Sequence, residues 1–358
     1  MSVGVTNSQL LDLQNTTLAN LPFDGQFETT LQNPKYHVIN KWFAEDKIQL
    51  DGGEKISRNI QLDPQGNAQH IRPYAKVSST VRNQQSKINA DWVKVLTSYA
   101  ISREEVTRNR GRARYIDMLK SKRRAAMVDL ANLLELRAWS APESSSDDLN
   151  PFGLPYWLNK VNASVSSTGD YIGQTIRYGN GSTSTTKGGI DGSTETHWRN
   201  WAFTYDAVNE DFLLRLTEAF LAADFQSPMI VEDMVKGALS NFRIYMPRKM
   251  LANYTRLTAK ANENIGADLG RFNGVTSFQR VPIFHTPQIN SDTDEPCYGV
   301  NHAHFFPYVM EGDWMRESQA IEPDDQPDVF ITRLAGQYQY FADNVRESGF
   351  VASLVPTA

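Results

Sequence analysis

His302 and His304 flank Ala303, so on a strand both rings would leave the same face, as two metal ligands could. A zinc site needs three or four convergent ligands. Asp292, Asp294 and Glu295 lie upstream, but no third ligand is close in sequence. The pair reads as two ordinary histidines at a strand end, and no metal is assigned. Lys187 belongs to a Gly/Ser/Thr-rich stretch, Gly179 to Gly189. A phosphate-binding loop places Gly directly before its Lys and Ser or Thr directly after it. Here Thr186 precedes and Gly188 follows, so the stretch fails that test and reads as a flexible loop. Cys297 is the one cysteine and stands beside Pro296. A lone cysteine in that setting reads as structural rather than nucleophilic. No serine-hydrolase elbow, zincin or kinase signature is present. Neither catalytic residues nor a cofactor are expected, and the chain is not read as an enzyme.

Charge is more informative. Between Arg103 and Arg124 nine basic residues face three acidic ones, a local net of +6, while the 358-residue chain carries -5. The remainder is therefore strongly acidic, and Glu311 to Asp328 holds seven acidic residues against Arg316. One reading of the basic stretch is a solvated helix face. The other is a face turned toward polyanion, with Arg108, Arg112, Lys120 and Arg124 as candidate phosphate contacts. Such contacts would be blind to base sequence, because no reading motif accompanies them.

The elements that must carry these residues follow from pattern. Hydrophobic residues are 40% and charged residues 22%, an ordinary globular composition at a length that predicts more than one packed unit. A single cysteine argues against a disulfide-stapled secreted protein, and no apolar run is long enough for a bilayer span. No signal-peptide pattern opens the chain, so a reducing cytoplasm is expected, with no membrane partner. Residues 1–49 are polar and read as an arm that needs a partner surface. Asp51-Gly52-Gly53 and Asp63-Pro64-Gln65-Gly66-Asn67 are turn signals, so residues 50–82 read as a polar hairpin that buries little of its own surface. Ser102 with Glu105 is a capping box, and apolar spacing from Arg103 to Arg137 predicts one helix of roughly 50 Å, with Gly111 as a candidate kink. Helices are predicted at Asn209 to Phe225, Val231 to Leu239 and Lys249 to Ile265. Strands are predicted at Phe242 to Met246, Val281 to Phe284, Tyr298 to Val309 and Val329 to Phe341. The class is α+β, without the alternation of a doubly wound sheet.

In this order the pieces resemble the major capsid proteins of tailed bacteriophages, the Hong Kong 97 fold. The resemblance rests on the Gly52-Gly53 turn and polar hairpin, on Trp92-Val93-Lys94 and Ile101-Ser102-Arg103-Glu104-Glu105 leading into a basic helix, and on Gly188-Gly189-Ile190-Asp191 with Trp198-Arg199-Asn200. It continues in Pro327-Asp328-Val329, Leu334, Gly336, Asn344, Arg346 and Gly349. It implies an N-terminal arm (1–49), an extended loop (50–82), a peripheral domain (83–208) with a spine helix at about 103–137, an axial domain (209–308), and a return to the peripheral domain (309–358). It also implies pentamers and hexamers that self-assemble into an icosahedral shell around double-stranded DNA. The setting would be a virion assembled in the host bacterial cytoplasm. A portal, a separate scaffolding protein and a decoration protein are the implied partners, and the DNA contact would be non-specific. Gly52, Gly53, Lys55, Arg58 and Arg72 become the candidate inter-subunit residues, and Lys47 and Lys55 are available for a loop cross-link. Two alternatives stay open: another virion or DNA-associated structural protein that uses helix 103–124, and a metal-dependent enzyme built on His302 and His304.

Overall fold

The structure is a computed structural model that describes residues 36–355, apart from 63–66, 73–75, 77–84, 109–111, 163–165, 224–240, 262–275, 280 and 325–327. Most of the expected arm, the helix expected at Val231 to Leu239 and most of the turn at Asp63 to Asn67 fall outside the described residues.

A helical turn at Val38–Phe43 comes first, followed by β1 (Ile48–Leu50), β2 (Lys55–Gln61), β3 (Gln85–Asp91) and β4 (Val93–Ser102). β2 and β3 pair antiparallel, from Lys55 opposite Asp91 to Gln61 opposite Gln85. The hairpin therefore returns beyond residue 82, where turn chemistry alone would end it. The return strand has only Ile88 and Ala90 as buried residues, too weak an alternation to stand out in a polar sequence. The spine is α1 (Arg103–Arg108) and α2 (Arg112–Ala138), with residues 109–111 between them outside the described set. The capping box forms as expected: Glu105 N–H donates to Ser102 Oγ at 3.2 Å, and Ser102 N–H donates to Glu105 Oε2 at 3.2 Å.

Then come β5 (Asp170–Gly173), β6 (Asn200–Tyr205), α3 (Glu210–Ala222), β7 (Phe242–Met246), α4 (Arg248–Ala261), β8 (Ser277–Phe278) and β9 (Val281–His285). The chain ends with β10 (Cys297–Asn301), β11 (Phe305–Met310), β12 (Arg316–Glu317), β13 (Val329–Ala342) and β14 (Gly349–Leu354). One sheet runs β1–β11–β13–β12, with β4 paired to the other side of β13. The β4–β13 ladder covers ten positions, from Val93 opposite Tyr338 to Ser102 opposite Val329. The other sheet runs β8–β9–β7–β10–β14–β6–β5.

This second sheet departs from the boundaries expected of the axial domain. It takes β5, β6 and β14 from outside 209–308, while β11, mostly inside that range, joins the first sheet. Strand partners lie far apart in sequence, and periodicity does not reveal which partner a strand selects. β14 is central, parallel to β6 and antiparallel to β10, and its Phe350, Val351 and Ala352 are all buried. A strand covered on both faces reads as a continuous apolar run. α3 buries one face: Phe212, Leu216, Ala219 and Phe220 join Phe203, Ile244, Met250, Ile283 and Phe350 in one core, with Leu213 partly buried against it. Asn209 caps it by accepting Phe212 N–H at 3.0 Å. A second core gathers Trp42, Trp139, Trp157, Tyr245, Tyr340 and Phe341 between the spine and the sheets.

Candidate functional site

Two surfaces carry the residues singled out by charge and turn chemistry. The first is the basic start of the spine. Arg108 is exposed and pairs with Glu104 one turn back. Lys120 is exposed and Arg124 half-buried. Arg112 begins α2, and its side chain lies outside the described set. Two neighbouring cations turn inward instead. Lys122 pairs with Glu105 and donates to Ala100 O at 3.0 Å, and Arg123 meets Glu317 Oε2 at 2.8 Å. Tyr99 donates to the other oxygen of Glu317 at 2.7 Å. Part of the local +6 therefore fastens the helix to β4 and β12. What remains outward is narrower than the count of charges suggests.

The second surface is the hairpin. Gly52 and Gly53 have φ of +147° and +123°, values that L side chains rarely adopt, so the turn requires glycine. Trp92 Nε1 donates to Gly53 O at 2.9 Å and closes the base. Lys55 and Asp91 face each other at 2.9 Å across the two strands. Arg72 is exposed. Arg58, expected to reach a neighbouring subunit, binds within its own chain: its NH1 is 3.2 Å from Asp343 Oδ2 and 3.5 Å from Tyr308 Oη.

The two histidines do not share a face. They lie in the turn between β10 and β11, where strand alternation no longer applies. His302 is buried, with Nε2 3.0 Å from Tyr245 Oη and Nδ1 3.4 Å from Asp46 Oδ2, and burial pushes its pKa well below the ordinary value. His304 instead meets Asp343 through Nδ1 at 3.0 Å and Glu347 through Nε2 at 3.3 Å. The hydrogen bond to Asp343 raises its pKa. Among the described residues, no group of three or more His, Cys, Asp or Glu converges as a metal site. Cys297 is fully buried, and burial pushes its thiol up, away from the reactive thiolate. Among the described residues no helix is long and apolar enough to cross a membrane.

The Gly179 to Gly189 stretch corrects the expectation of a flexible loop. Thr183–Ser184 pairs with Ile176–Arg177, and Thr186–Lys187 pairs with Ile190–Asp191. Lys187 is fully buried, and its ammonium donates to Trp157 O at 3.0 Å, Gly173 O at 2.7 Å and Asn200 Oδ1 at 3.2 Å. Three acceptors match the three protons of a lysine head group. Burial nevertheless pulls its pKa well below the ordinary value. Gly188 has φ +56°, and a Cβ there would strike Ile88 Cγ2. Lys187 is thus a structural cross-brace that motif reasoning misses. The Gly-Gly pair after it, at a forced chain reversal, was the available signal. Glu135 was also missed. It is buried on α2 and accepts Val38 N–H at 2.9 Å and Trp139 Nε1–H at 3.2 Å. Burial pushes it up to about 7. No sequence signal marks it, because its backbone partner Val38 lies 97 residues back along the chain.

No protein-family model matches the chain, and no curated protein sequence matches it. Solved structures do match. The chain is similar to a subunit of the Cyanophage A-1(L) capsid asymmetric unit, with 12% identity, a TM-score of 0.63, and coverage of 94% of this chain and 96% of that one. It is similar to a chain of Mycobacterium phage Bobi at 11% identity and TM-score 0.51, covering 99% and 100%. A chain of Gordonia phage Cozz aligns at 11% identity and TM-score 0.50, covering 94% and 90%. The chain has the α+β fold of tailed-phage capsid subunits, the Hong Kong 97 fold, along nearly its whole length.

Proposed function

We propose that this chain is the major capsid protein of a tailed phage, assembling as pentamers and hexamers into an icosahedral head that encloses double-stranded DNA. The observation that carries the reading is end-to-end agreement of fold with the capsid subunit of Cyanophage A-1(L), 94% of one chain on 96% of the other. A fold alone does not fix function, so the reading also leans on the surfaces. The β2–β3 hairpin buries only Ile56, Ile88 and Ala90, which suits an element that lies on a neighbouring subunit. In this reading Gly52, Gly53, Lys55 and Arg72 stand where a neighbour would be met. Arg108, Arg112, Lys120 and Arg124 mark the face toward packaged DNA. Portal, scaffolding and decoration proteins are its partners, and the virion is its location. The alternative built on helix 103–124 as a free-standing DNA-binding element is weakened, since Lys122 and Arg123 are engaged internally. The metal-enzyme alternative loses its basis, because His302 and His304 face different partners.

The test is negative-stain electron microscopy of the purified protein after sedimentation, with and without a candidate scaffolding protein. Closed shells, or rings of five and six, are expected. A monomer or dimer under every condition would overturn the proposal.

A further inference from the structure

Asp343 stands in the turn between β13 and β14 and is shared by two cationic side chains from different elements. Its Oδ2 is 3.2 Å from Arg58 NH1, which comes from hairpin strand β2. Its Oδ1 is 3.0 Å from His304 Nδ1, which comes from the β10–β11 turn. The carboxylate cannot easily turn away from either. Asp343 N–H donates to His304 O at 3.1 Å, and Ser348 Oγ donates to His304 O at 3.3 Å, so the two turns are locked together through their backbones. The titratable and charged groups facing the imidazole are Asp343 and Glu347 from the β13–β14 turn and Arg58 from the hairpin. Tyr308 of β11 faces Arg58, and the Phe306 ring lies 5.9 Å below the same guanidinium.

We propose that Arg58 and His304 compete for the Asp343 carboxylate, so that hairpin docking and His304 protonation oppose each other and acid loosens the hairpin base. The coupling is electrostatic and must be reciprocal. A docked Arg58 places positive charge beside the imidazole and disfavours its proton. A protonated His304 draws on the same carboxylate and repels Arg58. Asp343 and Glu347 favour the charged imidazole strongly enough that its titration lies above the ordinary value despite Arg58. The competition therefore sets in at a higher pH than that at which an ordinary histidine takes up its proton. No other ion pair of the described residues links the hairpin to this turn. Lys55–Asp91 holds the hairpin strands to each other, not to the body. The inference concerns contacts within one chain and stands whether or not the capsid reading holds.

Two exchange measurements on the full chain test it, both read by mass spectrometry. Exchange at the imidazole C2 position gives the titration midpoint of His304. It should lie at higher pH in Arg58→Gln than in the wild type, and Arg58→Lys should restore the wild-type midpoint. Backbone amide exchange reports opening of Lys55–Gln61. Corrected for the intrinsic pH dependence of exchange, it should be roughly two- to fivefold faster at about pH 5.5 than at about pH 8, the scale of a partly exposed ion pair. His304→Gln should abolish that ratio while leaving the β4–β13 ladder equally protected. Circular dichroism and that ladder report whether each variant is folded. An unmoved midpoint in folded Arg58→Gln, or an unchanged hairpin ratio in folded His304→Gln, would overturn the proposal.

Discussion

β3 and β4 are one run of chain divided only at Trp92, yet they end in opposite physical situations. β4 alternates buried and exposed residues, with Val93, Val95, Tyr99 and Ile101 inside. It pairs along its whole length with β13 and packs under the spine helix, where Ile101 and Tyr99 meet Leu119 and Ala126. β3 keeps the same extended backbone, but its partner β2 is itself mostly exposed, and of the pair only Ile56, Ile88 and Ala90 are buried in the main core, with Ile60 packed partly buried against it. Extended structure thus needs no core of its own. A core forms only where a third element covers the ladder. The part of the chain left uncovered is the part available to another molecule.

The contrast has measurable consequences, the largest on the covered side. Ile101→Ala removes a fully buried side chain between ladder and spine and should lower stability by about 3 kcal/mol in urea unfolding. A loss below about 1 kcal/mol would mean the ladder is not the stabilising half. Next in size is a pH effect behind that ladder. Glu135 has its folded pKa raised to about 7 by burial, so the folded state holds the proton more tightly than the unfolded chain does. Its contribution is full below the ordinary value of 4.5 and is lost as pH rises toward 7. Glu135→Gln lacks that loss. The stability of the variant relative to wild type should therefore rise by about 2 kcal/mol between mildly acidic and mildly alkaline pH. A relative stability that stays flat would refute the burial argument. Ser102→Ala removes the cap at the junction of ladder and helix and should cost about 1 kcal/mol, read from thermal unfolding. The smallest effect belongs to the hairpin. Ile60→Ala should change subunit stability by less than about 1 kcal/mol. If the capsid reading is correct, the same substitution should impair shell closure in electron micrographs. A large folding defect would erase the distinction between the two regions.

Much of this organisation was legible because it is written in local patterns. The Ser102–Glu105 box, the 3.6-residue spacing of Phe212, Leu216 and Phe220, and the glycine turn at 52–53 each need only neighbours in sequence. The return strand at Gln85–Asp91 was less legible, since Ile88 and Ala90 are its only strong marks. The hairpin was recognised by its turns, and turn signals do not fix how far a polar ladder extends. Among the site residues, Arg108 and Lys120 are exposed on the helix, whereas Arg58 is bound to Asp343 in the same chain.

The sequence by itself determined an α+β chain with a polar hairpin, a capped basic helix and no catalytic motif, because propensity, capping and charge are short-range properties. Only the tertiary structure decided that β14 would insert between β10 and β6, that Lys187 would be buried among three oxygens, and that Asp343 would serve both Arg58 and His304. The physical reason is common to all three. Each depends on partners far apart in the chain, brought together by burial of side chains whose pairing no local pattern specifies.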